Sequence, residues 1–212
     1  ALENSKNALS RRLAENTSQR QLLEGLSKLL ALEHAPERIE VFDNSHISGT
    51  NAVGAMIVYG SDGFLKSSYR KFNIRSVGKG VQQSNGDDYA MMREVLTRRF
   101  SRAQDEDPDR SRGQWPDLVL IDGGAGHLNT TLEVFQDLGI LNVSVAAIAK
   151  GPDRNAGRER LFLPGRASFT LDSRDPVLYF LQRLRDEAHR FAIDTHRRRR
   201  AKNMEHSTLD EI

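Results

Sequence analysis

Two aspartates stand at the ends of strand-like runs, and this placement suits metal chemistry. The run from Arg38 to Asp43 and the run from Asp117 to Asp122 are mostly apolar, and each ends in a carboxylate. Functional groups of α/β proteins collect at strand ends, because the backbone is rigid there and the loops leave space for substrate. If the two strands are adjacent and parallel, both carboxylates face one crevice, where they repel each other unless a cation holds both ionised. The pair therefore predicts a divalent-metal site that could position water for attack on a phosphodiester.

The composition restricts which metal this could be. The chain of 212 residues has no cysteine, which excludes disulfides, thiolate zinc sites and cysteine nucleophiles. Any metal must then be held by oxygen and imidazole ligands, which favours Mg²⁺ or Mn²⁺.

Two further polar residues are candidates for the same site, and each also has a simpler interpretation. Asp88 lies at the start of a predicted helix, where a carboxylate could ligate metal or could cap free N–H groups and complement the helix dipole. His189 lies on the last predicted helix, beside its apolar stripe, where a surface or partly packed histidine is the simpler reading. If this helix crosses the carboxylate crevice, a neutral imidazole could ligate metal or carry a proton.

A glycine turn suggests a rival function. The segment Gly123-Gly-Ala-Gly126 follows a strand and opens a helix, so its amides could hold a phosphate in a nucleotide- or phosphate-binding regulatory module. Its spacing fits neither G-x-G-x-x-G nor the P-loop, and a tight turn beside a catalytic aspartate explains it equally well.

Clustered positive charge suggests a third possibility. The net charge is only +2, yet Arg98 and Arg99 are adjacent and the last helix carries a long run of cations: Arg183, Arg185, Arg190, Arg197, Arg198, Arg199, Arg200 and Lys202. Each cluster is either a solvated helix face or a set of phosphate contacts. A non-catalytic DNA-binding or interaction domain is therefore a second alternative to an enzyme.

The spacing of apolar residues predicts the elements that position these groups. A three-strand antiparallel meander begins at Arg38, and helices and further strands follow, which together form a mixed α/β sheet flanked by helices. The predicted strands are 38–43, 52–59, 64–74, 117–122 and 143–149, with short pieces at 160–163 and 168–171 and a tight turn at Gly60-Ser-Asp-Gly63. The predicted helices are 5–32, 88–102, 127–138 and a last one with Asp175 as N-cap and Pro176 at its first position.

The chain divides into a helical lead-in or linker over 1–37, a main domain over 38–202 and a short linker over 203–212. A hydrophobic fraction of 38% is enough for a substantial core. The sequence has no apolar run near the roughly 20 residues that cross a bilayer and no signal-peptide pattern at its start. We therefore expect a cytoplasmic protein without membrane contact.

Five ordered motifs resemble those of the C-terminal nuclease domain of the UvrC family. They are Phe42-Asp-Asn-Ser-His46 with Gly49, Gly86-Asp-Asp-Tyr-Ala90, Asp117-Leu-Val-Leu-Ile-Asp-Gly-Gly124, Ala149-Lys-Gly151 and Arg185-Asp-Glu-Ala-His-Arg-Phe-Ala192. The resemblance runs from about Arg38 to Lys202. Five motifs in order are far more specific than any one of them.

This resemblance implies an RNase H-like fold with Asp43, Asp122 and His189 as catalytic and metal-binding residues and Asp88 as a further catalytic aspartate. The implied function is the incision 5′ to a lesion in bacterial nucleotide excision repair, on damaged double-stranded DNA loaded by UvrA and UvrB, with UvrB as partner. The number of metal ions and the residue that activates water stay open, and no oligomeric state follows from the sequence.

Several basic residues near the motifs are predicted to contact DNA: His46, Lys150, Arg154 and Arg185. For His46, a strand-end histidine bonded to backbone is the alternative. The family's other nuclease module, its UvrB-binding segment and its tandem helix-hairpin-helix region are not in this sequence. We therefore expect the isolated domain to bind metal and to cut DNA weakly or not at all.

Overall fold

A mixed β-sheet lies at the centre of the structure, a computed structural model that describes the backbone of residues 2–45, 52–75, 85–151 and 158–209. Side chains are described within 15–44, 52–75, 88–151 and 158–194. Strands follow the order β1 (Arg38–Ser45), β2 (Val53–Gly60), β3 (Gly63–Phe64), β4 (Arg70–Asn73), β5 (Leu118–Asp122), β6 (Ser144–Ala149) and β7 (Arg160–Phe162). Helices are α1 (Leu2–Leu30), α2 (Asn85–Glu106), α3 (Ala125–Asp137) and α4 (Pro176–Leu209).

The order of strands across the sheet is β3-β2-β1-β5-β6-β7, and β4 also pairs with β2. Strand β1 is antiparallel to β2 and parallel to β5, and β5 is parallel to β6. The predicted meander is therefore confirmed, and the condition that the strands ending in Asp43 and Asp122 are adjacent and parallel is met. Because the register pairs Phe42 with Ile121, the next residue on each strand is a carboxylate, Asp43 on β1 and Asp122 on β5.

Two apolar layers cover the two faces of the sheet. On one face, Ile39 and Val41 of β1 and Leu118 and Leu120 of β5 belong to a core shared with α1 and α4, which contribute Leu26, Leu181, Leu184 and Ala188. On the other face, Phe42, Val119 and Ile121 pack with residues of α2 and α3, among them Val95, Phe100, Leu128 and Phe135. Since strand side chains alternate between faces, Asp43 falls on the α4 face.

Helix α4 starts as the sequence predicts. The Asp175 Oδ1 atom accepts a hydrogen bond from the Val177 amide at 2.8 Å, so Asp175 caps the helix and Pro176 occupies its first position. The helix continues to Leu209, through the predicted boundary between 202 and 203. In the described residues no helix is long and apolar enough to span a membrane.

Two strand predictions are wrong. The run 64–74 is not one strand, because a 3-10 turn at Lys66–Ser68 separates β3 from β4 and directs Tyr69 into the core. Polar Lys66, Ser67 and Ser68 interrupt the apolar alternation, and the Ser68 amide bonds the Leu65 carbonyl at 2.9 Å instead of a neighbouring strand. The run 168–171 forms only a single antiparallel bridge, between Phe169 and Leu161, after the turn at Pro164 and Gly165 brings the chain back beside β7.

A buried ion pair joins the sheet to α2. Glu40 on β1 is fully buried and accepts hydrogen bonds from the Arg99 Nη2 atom at 2.6 Å and the Arg38 Nη2 atom at 2.9 Å. Removal of one member of such a pair leaves an uncompensated buried charge.

We expect Arg99→Met to lower the free energy of unfolding by about 3 kcal/mol, because Glu40 would keep only one cationic partner. Urea denaturation followed by circular dichroism measures this. The control is Arg102→Met, which removes an exposed pair with Glu106 and should cost less than about 1 kcal/mol. Equal losses in the two variants would contradict a structural role for the buried pair.

Candidate active site

Two strands and one helix bring Asp43, Asp122 and His189 together. One potential ligand atom from each of the three side chains lies within 4.8 Å of the other two. Asp43 is only 6% exposed, and Asp122 is partly buried beside it at the end of the neighbouring parallel strand. The two strand-end carboxylates therefore lie close together.

His189 reaches the carboxylates because α4 packs across β1. Leu184 and Ala188 of the helix are fully buried against the sheet, which fixes the turn that carries His189 above Asp43. The His189 Nδ1 atom lies 2.9 Å from the Asp43 Oδ2 atom, and 47% of the imidazole side chain remains exposed. Helix α4 therefore crosses the carboxylate pair, which is the condition for a chemical role of His189.

The electrostatics of the cluster oppose full ionisation. Burial, followed by repulsion from Asp43, raises the pKa of Asp122 to about 6, although Arg185, His189 and Lys150 act in the opposite direction. The hydrogen bond with Asp43 raises the pKa of His189, with a smaller opposing effect of burial. Burial is the larger cause of the Asp122 pKa shift, whereas the contact with Asp43 is the larger cause of the His189 pKa shift.

The residues present fit a divalent cation. Two carboxylates and an imidazole converge, and these are ligands that Mg²⁺ or Mn²⁺ accepts in the absence of thiolates. A bound cation would also offset the repulsion between the carboxylates of Asp43 and Asp122.

Asp88 lies outside this three-residue cluster, on the first turns of α2. The negative charges of Asp88 and Asp43 both raise the pKa of His127 on α3. Asp88 therefore lies on the α2 side of the site. Burial lowers the pKa of His127, whose ring packs edge-on against Tyr89 at 4.9 Å between centroids. Tyr89 belongs to the motif Gly86-Asp-Asp-Tyr-Ala90, but neither it nor His127, which follows the glycine turn, is a candidate site residue from the sequence alone.

The glycine turn after Asp122 has a packing explanation. A Cβ atom on Gly126 would lie 2.4 Å from the Tyr89 hydroxyl oxygen, and one on Gly123 would lie 2.6 Å from the His127 ring. Side chains at these positions would displace the two aromatic rings that flank the site. The turn therefore does not need a bound phosphate to account for its glycines.

The predicted DNA contacts divide into three groups. Lys150 is exposed at the end of β6, and its charge lowers the pKa of both Asp122 and His189, which places it near the cluster. Arg185 is only 5% exposed and bonds Glu159 at 3.2 Å and Asp186 at 3.0 Å, so its contacts in this structure are internal. His46 and Arg154 lie outside the described residues.

Glu159, the buried acid that anchors Arg185, is not among the residues predicted from the sequence. Glu159 is 1% exposed and also accepts a hydrogen bond from the Gln182 side chain at 2.8 Å. The positive charge of Arg185 in turn lowers the pKa of Asp122, so the buried Glu159–Arg185 pair contributes to the charge balance of the site. A single glutamate in a polar loop gives no sequence signal for such a role.

Comparison with known proteins identifies the family. Residues 27–193 match a family model described as the UvrC RNAse H endonuclease domain. The chain is 65% identical over its whole length to the UvrABC system protein C of Paramagnetospirillum magneticum, and 59% identical to that of Rhodospirillum rubrum. It spans 33% of each of these relatives, about a third of their length.

Solved structures with a partial likeness include two endonucleases. Endonuclease V of Ciona intestinalis, in complex with DNA, is 15% identical, with 67% of this chain and 59% of that chain covered and a TM-score of 0.40. Human Endonuclease V is 16% identical, with 68% and 59% covered and a TM-score of 0.41. The family model, with the mixed sheet and the three converging side chains, leads to one conclusion: this chain belongs to the UvrC family, as its RNase H endonuclease domain.

Proposed function

We propose that this domain is a divalent-metal-dependent DNA endonuclease in which Asp43, Asp122 and His189 hold Mg²⁺ or Mn²⁺. The observation that carries the proposal is the convergence of the three ligand atoms within 4.8 Å, at the ends of two parallel strands. When bound, the cation would supply Lewis-acid activation of the phosphodiester and of water.

The chain's own residues prepare this chemistry. Asp43 fixes the orientation of the His189 ring through the 2.9 Å contact at Nδ1. In the tautomer with hydrogen on Nδ1, that nitrogen donates to Asp43, and Nε2 is the atom that can accept or release a proton. In the other tautomer Nδ1 is a potential metal ligand. Both roles keep His189 in the site.

Two charged residues complete the proposed site. Lys150 is proposed to contact a substrate phosphate, and the support is its exposure and its electrostatic effect on Asp122 and His189. Asp88 is a further proposed catalytic residue, on the α2 side of the site, where its charge raises the pKa of the neighbouring His127. The proposed DNA contacts of Arg185, His46 and Arg154 have no support from the geometry described.

We propose that the domain makes the incision 5′ to a lesion in bacterial nucleotide excision repair. The proposed substrate is damaged double-stranded DNA that UvrA and UvrB have loaded, and the proposed partner is UvrB. The support is family membership and the name shared by the relatives, UvrABC system protein C. Because the chain spans a third of those relatives, we expect the isolated domain to cut DNA weakly or without lesion specificity. Robust lesion-specific cutting by the 212-residue chain would contradict this expectation.

In the full-length protein, Asp43→Asn, Asp122→Asn and His189→Ala should each lower the rate of the 5′ nick by about 100-fold or more, with the 3′ nick retained. The measurement is the length of the products from an end-labelled duplex with one lesion. Asp109→Asn, an exposed acid in a loop away from the cluster, is the control. A variant with an unchanged 5′ nick would remove its residue from the site.

Metal should stabilise the folded domain through these same ligands. We expect Mg²⁺ at about 100 times its Kd to raise the free energy of unfolding of the 212-residue chain by about 2.7 kcal/mol. Asp43→Asn and Asp122→Asn should each lose most of this gain, whereas Asp109→Asn should keep it. Thermal unfolding with and without Mg²⁺ or Mn²⁺ provides the measurement, and equal stabilisation of all variants would place the metal elsewhere.

Without metal, Asp122→Asn should be more stable than the parent chain at pH 7.5, by about 2 kcal/mol. The pKa of Asp122 is raised from 3.8 to about 6 in the folded chain. The folded state therefore binds the proton more tightly than the unfolded state, and stability falls as pH rises from about 4 to about 6. The difference between the variants should vanish near pH 4. Urea denaturation in EDTA at pH 4 and at pH 7.5 tests this. A variant less stable than the parent chain at pH 7.5 would show that ionised Asp122 does not destabilise the fold.

A further inference from the structure

A basic cavity lies on the face of the sheet opposite the proposed active site. Its volume is about 490 Å³, and it opens between β4, the start of β1 and the second half of α2. The side chains of its cationic rim are Arg38, Arg70, Arg98, Arg102 and Arg112. Glu106 is the one acid among the lining residues of the described structure.

The floor of this basic cavity is rigid. It contains Arg99, which is 8% exposed and bonds the fully buried Glu40 at 2.6 Å and the Gln114 carbonyl oxygen at 2.5 Å. The loop at its far side is held by Asp107, whose buried carboxylate accepts hydrogen bonds from the Arg112 amide at 2.9 Å and the Gln114 amide at 3.0 Å. The cavity is therefore part of the folded core and not a chance gap between surface side chains.

Two arginines on the rim bond backbone carbonyls and form no ion pair with any acid in the described part of the chain. The Arg70 Nη1 atom donates to the carbonyl oxygens of Ser67 and Tyr69, both at 2.8 Å. The Arg112 Nη1 atom donates to the Glu106 carbonyl oxygen at 2.8 Å. Hydrogen bonds to backbone carbonyls orient a guanidinium but leave its full charge available to an anion.

The edge strand β4 connects this cavity to the face that carries the site. Lys71 pairs with Ala55 of β2, and Ala55 pairs with Asp43 of β1, so Lys71 points to the same face as Asp43 from about 10 Å away, two strand spacings. Its Nζ atom lies 4.5 Å from the centre of the Phe191 ring, two residues beyond His189. Arg70, the preceding residue, points to the other face, toward the basic cavity.

We propose that the basic cavity binds the phosphate backbone of the DNA strand that flanks the cleaved bond, and that this strand passes round the β4 edge. The inference rests on the proposed function for the identity of the nucleic acid. Guanidinium groups bind phosphate oxygens through paired hydrogen bonds, and each neutralised phosphate releases counterions. A path over β4 meets one cation for each face of the sheet, Lys71 beside the site and Arg70 at the mouth of the cavity.

The test compares Arg70→Gln/Arg112→Gln with a control of equal charge change, Arg166→Gln/Arg174→Gln, on the exposed loop before α4. Binding of each 212-residue variant to a fluorescent undamaged duplex is measured by anisotropy in EDTA over a series of salt concentrations. Since each lost phosphate contact lowers the slope of log K against log salt by about 0.9, we expect a decrease of about 1.8 for the cavity variant. The control slope should equal that of the parent chain.

Two further variants separate the possible explanations. Arg70→Lys/Arg112→Lys keeps the charge and should keep most of the slope, whereas a merely structural role for the guanidinium groups would lose it. Asp43→Asn should keep the slope, so that failure of the proposed cleavage and failure of this inference give different results. An unchanged slope in the glutamine variant, or an equal decrease in the control, would overturn the inference and leave an acidic protein surface as the alternative partner.

Discussion

The parallel pairing of β1 with β5 brings two carboxylates to the same end of the sheet, and the site depends on this contact. Strands that run in the same direction end at the same edge, and the register places Asp43 directly after the last paired residues. Alternation of side chains then puts the carboxylate on the α4 face, where a buried helix can carry a third group to it. A shift of one residue in the register would move Asp43 to the α2 face and separate it from His189.

Burial is the main influence on the protonation of Asp122. Asp122 holds its proton up to a pH of about 6 because it is shielded from water and faces Asp43. Lys150, Arg185 and His189 offset part of this effect, and the buried Glu159 in turn holds Arg185. The site is thus a region of concentrated negative charge with a partial cationic frame, and a divalent ion is the group that would complete its charge balance.

The two faces of the sheet have different charge. The α4 face carries the carboxylates at the ends of β1 and β5, whereas the α2 face carries the basic cavity around the Glu40–Arg99 pair. Glu40 lies on the same strand as Asp43 but has a structural role, because Arg38 and Arg99 neutralise it. The edge strand β4 belongs to both faces, since adjacent residues on a strand point in opposite directions.

The sequence by itself determined the α/β class, the strand-end positions of Asp43 and Asp122, the cap of α4 and, through five ordered motifs, the family. These features are local, because period, capping and motif order can be read within short segments. Only the tertiary structure decided that His189 meets Asp43 across 146 residues, that Arg185 is buried with Glu159, and that the run 64–74 is broken by the 3-10 turn at Lys66–Ser68. The packing of α4 on the sheet sets these contacts, and the spacing of residues along one helix cannot reveal which strand that helix covers.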